Sequence, residues 1–362
     1  MTDVFSRPWR FPAFYHEDED INSLVVRMAA NGCMTSAEFV RHYLKADIGM
    51  FNEGSYQLSA LRLLAIMACV DEGSILRNAV VSLKWSQTGR PAFAAQFRGG
   101  LMSGGGSFMK KRVAPSMLKA DGAQPYVRVA WRFHTLVADP TTGEVLQSHC
   151  PNCLRNLLWR SSKLCICHHC RFDIREAAPV FLAERELVAI RKLARALGLL
   201  GTAPTQPLKL PPPFEDLTLD QQLGALAWLA GLRGRMEGTL LTASVSNIYL
   251  GLELAENWER TVRQLVALVF RQTAGEPKDI VRDLLRHFDS IPNQQLKATI
   301  IAAVAQQAAI VAPDHTFVPT WHRSRVPQYM AGFPRYALSA IEPPEKRSAK
   351  SVKRPRPAES SR

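Results

Sequence analysis

The chain has 362 residues, which is more than a single hydrophobic core usually serves, so two or three domains are expected. Its apolar fraction of 47% is ordinary for a globular protein. No stretch approaches the roughly 20 consecutive apolar residues of a membrane helix, and the first residues lack the apolar segment of a signal peptide. These features argue against a membrane protein and predict a cytoplasmic one.

The formal net charge of +13 is compatible with a polyanionic partner such as DNA. Residues 345–362 hold seven Lys and Arg against two Glu, so about +5 of this charge lies in the C-terminal tail. Charge of this kind also serves solubility alone. The charge therefore leaves the nature of the partner open.

Residues 1–110 are predicted to form an N-terminal helical region. Apolar residues recur at helical spacing over 21–29 and again over 58–68. Between them, Thr35-Ser36-Ala37-Glu38 has the pattern of a capping box, which predicts a helix start. Three short helices are typical of a helix-turn-helix but also of any small bundle, so both interpretations stay open.

Residues 101–107 read LMSGGGS, which resembles a phosphate-binding loop because glycines let backbone amides approach an anion. Gly99 and Gly104 have the Walker separation, but Gly105 and Gly106 stand where Lys and Ser or Thr are required. A flexible loop is therefore predicted here.

The second half of the chain is predicted to be helical apart from a linker and a tail. A connecting helix is expected within 177–201, a Pro-rich extended linker at 202–213, and a helical domain at 214–340. Within that domain, helical patterns cover residues 218–232, 254–270, 279–288 and 293–309. Residues 341–362 are charged and Pro-bearing, which predicts a basic disordered tail.

Five of the seven cysteines lie within residues 150–170. Cys150 and Cys153 form one CxxC pair, Cys167 and Cys170 form another, and thirteen residues separate the pairs. The two-residue gap lets both thiolates of a pair reach one ion, and two pairs complete a tetrahedron. This pattern predicts one structural zinc ion in a ribbon with short strands at 157–159 and 172–174, and a fold that is mainly α with a small zinc-ribbon β module (α+β).

Cys165, His168 and His169 are the side chains that could replace a cysteine ligand. A site closed by four thiolates leaves no position for water or substrate, which favours a scaffold over a catalytic metal. Basic residues surround the predicted site and are candidates for contact with phosphate or with an acidic protein, although a solvated surface is equally compatible. They are Arg155, Arg160, Lys163, Arg171 and Arg175.

Several segments together resemble the TniQ family of target-selection proteins from bacterial transposons. The resemblance spans residues 14–176 and is most specific in the cysteine ribbon. Its other elements are Glu19-Asp20-Ile21-Asn22-Ser23-Leu24, Arg27, Asn31-Gly32, Pro125-Tyr126-Val127-Arg128, Trp131-Arg132, Gly143 and Leu146.

The chain departs from the family at the first of its two metal sites. Ala114-Pro115-Ser116-Met117-Leu118 stands where the family has Cys-Pro-x-Cys-Leu, and residues 138–142 replace its Cys/His pair. All ligands of that site are missing together, as expected of a module that folds without metal. Within 111–176 we therefore expect a degenerate first site held by burial of Tyr126 and Trp131, and one intact zinc site.

The resemblance implies a protein that is not an enzyme. It would link recognition of a target, either DNA or a guide complex, to an AAA+ ATPase and a DDE transposase, near the bacterial nucleoid and in some members as a homodimer. The alternative is a stand-alone zinc-ribbon DNA-binding regulator. A hydrolase or nuclease is disfavoured, because the sequence shows no activated nucleophile, carboxylate pair or open metal site.

Overall fold

A computed structural model describes the N-terminal region, the cysteine-rich middle and part of the C-terminal region. The described residues are 13–48, 51, 55–83, 94–97, 100–103, 111–160, 163–200, 205–236, 248–264, 297–298 and 300–302. The helix predicted at 279–288, most of the one at 293–309 and the tail at 341–362 lie outside these ranges.

The described chain is mainly helical with few strands. The helices predicted near residues 21–29, 58–68 and 218–232, and the connecting helix predicted within 177–201, are confirmed. None of the described helices is long and apolar enough to cross a membrane. The helices are α1 (Ile21–Asn31), α2 (Ser36–His42), α3 (Leu58–Ala68), α4 (Glu72–Asn78), α5 (Pro115–Ala120), α6 (Glu184–Ala196), α7 (Leu219–Met236) and α8 (Ile248–Glu256).

A four-stranded sheet accompanies the helices of the N-terminal region, which the sequence predicted to be helical only. Its order is β1-β2-β3-β4, with β1 parallel to β2 and the other pairs antiparallel. The flexible-loop prediction is wrong for residues 101–103, which lie in β4, while residues 104–107 lie outside the described residues. Strands this short carry too few residues for alternation to distinguish them from loops. The strands are β1 (Ser55–Tyr56), β2 (Val80–Leu83), β3 (Ala94–Phe97) and β4 (Gly100–Ser103).

Helix α2 begins with the predicted capping box. The Thr35 hydroxyl accepts from the amide of Glu38 at 3.2 Å, and the Glu38 carboxylate accepts from the amide of Thr35 at 2.8 Å. In the same turn, the buried Ser36 hydroxyl donates to the carbonyl of Trp159 at 2.9 Å. The first turn of α2 therefore contacts the cysteine-rich region through Ser36, while Thr35 and Glu38 stay exposed.

A buried polar network attaches α1 to the segment that precedes the ribbon. Glu19 is fully buried, accepts from the Ser23 hydroxyl at 2.8 Å and pairs with Arg27 at 2.7 Å. Burial raises the pKa of Glu19 to about 7, and the attraction of Arg27 opposes that rise. Asp20 caps α1 through the amide of Asn22 at 2.8 Å.

The Asp20 carboxylate that caps α1 also contacts a residue far away in sequence. Asp20 pairs at 3.0 Å with Arg132, and both side chains are buried. The amide of Asp20 donates to the carbonyl of Val127 at 2.8 Å, and the amide of Val129 donates to the carbonyl of Asp18 at 2.7 Å. Backbone and side chains therefore join the N-terminal helices to a 3-10 turn, Val129–Arg132.

The segment predicted to be an extended linker is packed where it is described. Leu208 and Leu210 are buried, and the Gln222 side chain of α7 bonds both the amide of Leu208, at 2.6 Å, and its carbonyl, at 3.0 Å. An extended backbone outside a sheet leaves polar groups that must find partners when buried. Gln222 supplies those partners, so this segment belongs to the core and is not a spacer.

Helices α6, α7 and α8 pack together in the C-terminal region. Gly251 of α8 lies so close to α7 that an added Cβ would sit 1.9 Å from the carbonyl oxygen of Leu226. Ion pairs connect α6 to α8: Arg185 contacts Glu253, and Lys192 contacts Glu256 at 2.7 Å. Helical residues continue at 258–264.

Candidate metal centre

The four cysteines of the two CxxC pairs converge on one point. Their sulfur atoms all lie within 4.8 Å of one another. The Sγ atoms of Cys150 and Cys170 are 3.5 Å apart, and those of Cys153 and Cys167 are 3.8 Å apart. Zinc–sulfur bonds of about 2.3 Å in a tetrahedron place the sulfurs roughly 3.8 Å apart. The cluster is therefore compatible with one metal ion such as zinc.

The two cysteine pairs have the same backbone geometry. In each, the amide of the first cysteine donates to the carbonyl five residues later, at 2.9 Å in both cases. The amide four residues later donates back to that cysteine's carbonyl, at 2.8 Å in the first pair and 3.1 Å in the second. Closing the loop places Leu154 and Arg171 in the left-handed region, with φ of 58° and 63°. We call each loop a knuckle.

The alternative ligands stand apart from this cluster. Among the described residues, the group of ligand-type side chains that could hold an ion contains neither Cys165, His168 nor His169. Cys165 is buried and both histidines are exposed. The predicted ribbon strands are absent as strands: isolated bridges pair His149 with Asn156 and Ile166 with Asp173. The two knuckles leave too few extended residues between them and their neighbours to form a longer ladder.

The local environments of the sulfurs differ. The backbone amide of Phe172 lowers the pKa of the Cys170 thiol to about 6, whereas burial raises that of Cys150 to about 12. A bound divalent ion would hold all four as thiolates, because metal binding displaces their protons. Four thiolates and one divalent cation leave two negative charges in a largely buried place.

Lys111 is a buried cation beside the cluster that the sequence prediction missed. Its Nζ donates to the carbonyl of Leu164 at 2.6 Å and lies 5.7 Å from the centre of the Trp159 ring. Burial lowers the pKa of Lys111 to about 8, and the neighbouring Cys165 and Cys167 oppose this. A cation in this position reduces the negative charge that four thiolates would bury. A charged residue in the run Lys110-Lys111-Arg112 gives no sign in sequence that it is internal.

A third loop repeats the knuckle geometry without cysteine. The amide of Asp139 donates to the carbonyl of Glu144 at 2.8 Å, and the amide of Gly143 donates to the carbonyl of Asp139, also at 2.8 Å. Gly143 has a φ of 80°, matching the left-handed residue of the other two loops. This loop lies in the segment where the degenerate first site was expected.

In this third knuckle a carboxylate, Asp139, stands at the position that the first cysteine occupies in the other two. Asp139 accepts from the amides of Thr141 and Thr142 at 3.0 and 2.8 Å and from the Trp131 indole at 2.7 Å. Glu144 completes the module by accepting from the amide of Ser116 at 3.1 Å and from its hydroxyl. Hydrogen bonds to these two buried carboxylates thus join residues 139–144 to Ser116 and Trp131.

Trp131 and Tyr126 have different roles in this module. Trp131 is fully buried, in keeping with the expected packing. Tyr126 is only partly buried and lies at the edge, stacked on His16 at a ring separation of 3.8 Å and beneath Arg128 at 4.3 Å. Its expected role in the interior of the module is therefore wrong, because its phenol faces the N-terminal segment.

The five basic candidates divide into two groups. Arg155, Arg160 and Arg171 are exposed, and none has a carboxylate partner among the described residues. Arg175 instead pairs with Asp173 at 2.6 Å, and with Lys163 it lines a groove of about 800 Å³ beside α1. Lys163 is exposed as well, so four of the five candidates present a cation at the surface, whereas Arg175 is partly buried.

Protein-family models give no match to this chain, and no curated protein is similar enough in sequence to count as a relative.

Proposed function

We propose that the chain is a non-enzymatic, TniQ-like adaptor in DNA transposition. In this role it carries one zinc ion on Cys150, Cys153, Cys167 and Cys170. It links a recognised target, either DNA or a guide complex, to an AAA+ ATPase that directs a DDE transposase. The metal would act as a scaffold, because four thiolates fill its coordination shell.

One observation carries the proposal: the separate motifs of the resemblance meet in one buried network. Glu19, Ser23 and Arg27 bond one another, Asp20 pairs with Arg132, and Trp131 bonds the third knuckle. Residues about 110 positions apart thus unite the N-terminal helices with the cysteine module. A single unit that joins the N-terminal helices to the cysteine module suits an adaptor that must position two other components.

The adaptor function is tested by purifying the tagged full-length protein from cells that encode it and identifying co-purifying proteins by mass spectrometry. We expect an AAA+ ATPase in comparable amount, and a reconstituted transposition assay should then require this chain. The matched control is Cys153→Ser, in which zinc is lost and recruitment should fall. Absence of any ATPase, together with normal transposition without this chain, would overturn the proposal.

A stand-alone DNA-binding regulator is the second candidate, favoured by the three exposed arginines without carboxylate partners. It predicts that the purified chain selects one duplex sequence from a random pool in the absence of other proteins. The adaptor predicts salt-sensitive binding without such selection, or selection only with its partners.

A further inference from the structure

Leu154 occupies a position where neither the backbone nor the packing calls for leucine. Its φ of 58° lies in the left-handed region, which is less favourable for a residue with a Cβ than for glycine. Its side chain is 76% exposed, so burial does not compensate for that cost. Leucine at this position therefore stabilises neither the knuckle nor the core.

The equivalent position of the third knuckle shows what the loop itself requires. Gly143 stands there, beneath Leu187, where an added Cβ would lie 3.1 Å from a methyl carbon. Where Leu187 covers the loop, glycine adopts the left-handed conformation. The first knuckle faces solvent at this position and carries the large apolar side chain of Leu154 instead.

Exposed cations lie on the knuckle that carries Leu154 and on the second knuckle. Arg155 follows Leu154 directly and contacts the exposed His169 of the second knuckle at 3.4 Å, so the outer faces of the two knuckles are continuous. Arg171, the left-handed residue of the second knuckle, is also exposed. We define Leu154, Arg155, His169 and Arg171 as the knuckle tip.

We propose that the knuckle tip is a docking site for a protein segment that carries an apolar side chain flanked by carboxylates. Leu154 would be the apolar anchor, and Arg155 and Arg171 would form the charged rim, which is the usual arrangement of a protein interface. Contacts with DNA phosphates would use only the cations, so they would not explain an exposed leucine in the left-handed conformation. The inference deepens the adaptor function proposed above and rests on it.

The first test uses a phage-displayed library of random short peptides, selected on the zinc-loaded full chain and then on Leu154→Asn. Asparagine tolerates the left-handed conformation, so this variant should keep its zinc and unfold at the same or a higher temperature. We expect enriched peptides with an apolar residue between acidic ones, whose affinity falls about tenfold in Leu154→Asn. Arg171→Gln should also weaken them, more at low salt than at high salt.

The control is Ile66→Gln, which removes an exposed aliphatic side chain from α3 and should leave peptide affinity unchanged. Selection of no acidic peptides, or equal binding to Leu154→Asn, would overturn the docking site. So would a loss of duplex DNA affinity in Leu154→Asn as large as the loss of peptide affinity. If an ATPase co-purifies equally with the wild type and with Leu154→Asn, the docking site at the knuckle tip is refuted and the adaptor function stands. If peptides bind specifically at the knuckle tip but no ATPase co-purifies, the adaptor function alone is refuted.

Discussion

Cys153 and Cys165 are both cysteines of the ribbon, but only Cys153 belongs to the sulfur cluster. We expect Cys153→Ser to lose the bound ion and to unfold the ribbon locally, because one missing thiolate forfeits much of a binding free energy on the order of 10 kcal/mol. Cys165→Ser should keep one zinc per chain. Metal analysis of both purified variants measures this, and two ions in the wild type, or none in Cys165→Ser, would contradict the assignment.

Asp139 holds the metal-free knuckle through hydrogen bonds to three residues. Removing a buried acceptor leaves its donors unsatisfied, so Asp139→Ala should lower the free energy of unfolding by about 2–3 kcal/mol. Asp139→Asn keeps one acceptor oxygen and should cost less. Chemical denaturation followed by intrinsic tryptophan fluorescence measures this change, and an unchanged midpoint in Asp139→Ala would show that the carboxylate does not hold the module.

At the scale of elements, the Asp20–Arg132 pair couples α1 to the 3-10 turn before the ribbon. Both partners are buried, so removing one leaves an uncompensated charge. We expect Arg132→Met and Asp20→Asn each to cost roughly 3–5 kcal/mol of stability, and the double variant to cost clearly less than their sum. Thermal or urea unfolding of the four proteins measures the coupling, and strictly additive losses would show that the two elements are joined by other contacts.

Helices α7 and α8 approach each other through Gly251. Because an added Cβ would overlap the backbone of Leu226, Gly251→Ala should force the helices apart and destabilise the C-terminal region by about 1–3 kcal/mol or more. The zinc content should stay the same, since the knuckles lie elsewhere. Limited proteolysis locates the loosened region, and a variant as resistant as the wild type would contradict the close approach.

At the scale of the whole molecule, positive charge is distributed between a folded surface and the C-terminal tail. Deletion of residues 346–362 should lower general DNA affinity and its salt dependence, because fewer counterions are released, but leave ATPase recruitment intact.

The double reversal Arg155→Glu with Arg171→Glu should impair recruitment or targeting, since these side chains sit on knuckles of fixed geometry. Binding measured against salt concentration, with zinc content checked for each protein, separates the two. Normal recruitment in the double reversal, together with its loss in the tail deletion, would place the working surface in the tail.

Net charge by itself gives a misleading picture of the surface. Lys111 and Arg112 contribute to the formal charge of +13, yet both are buried. Arg112 donates to the carbonyls of Trp131, Leu136 and Phe133. A sequence count treats every such residue as available to a polyanion, and only burial reveals which are.

Features that depend on residues close together in the chain could be predicted from the sequence alone. The capping box of α2, the amphipathic helices and the two CxxC pairs depend on neighbours within a few residues, so spacing was enough to predict them. That the two pairs, thirteen residues apart, meet at one point was predicted from the four ligands that a structural zinc ion requires. The proposed zinc ion itself stays a prediction that the sulfur geometry fits.

Long-range partners were decided only by the tertiary structure. The sheet of β1 to β4, the packing of residues 205–213 and the buried Lys111 depend on groups that lie far away in sequence. Asp139 is a different case, because its partners Trp131, Thr141 and Thr142 lie within eight residues of it, yet their convergence on its carboxylate becomes visible only in the folded loop. A buried polar group must be satisfied by whatever the fold brings near, and spacing along the chain does not specify that partner.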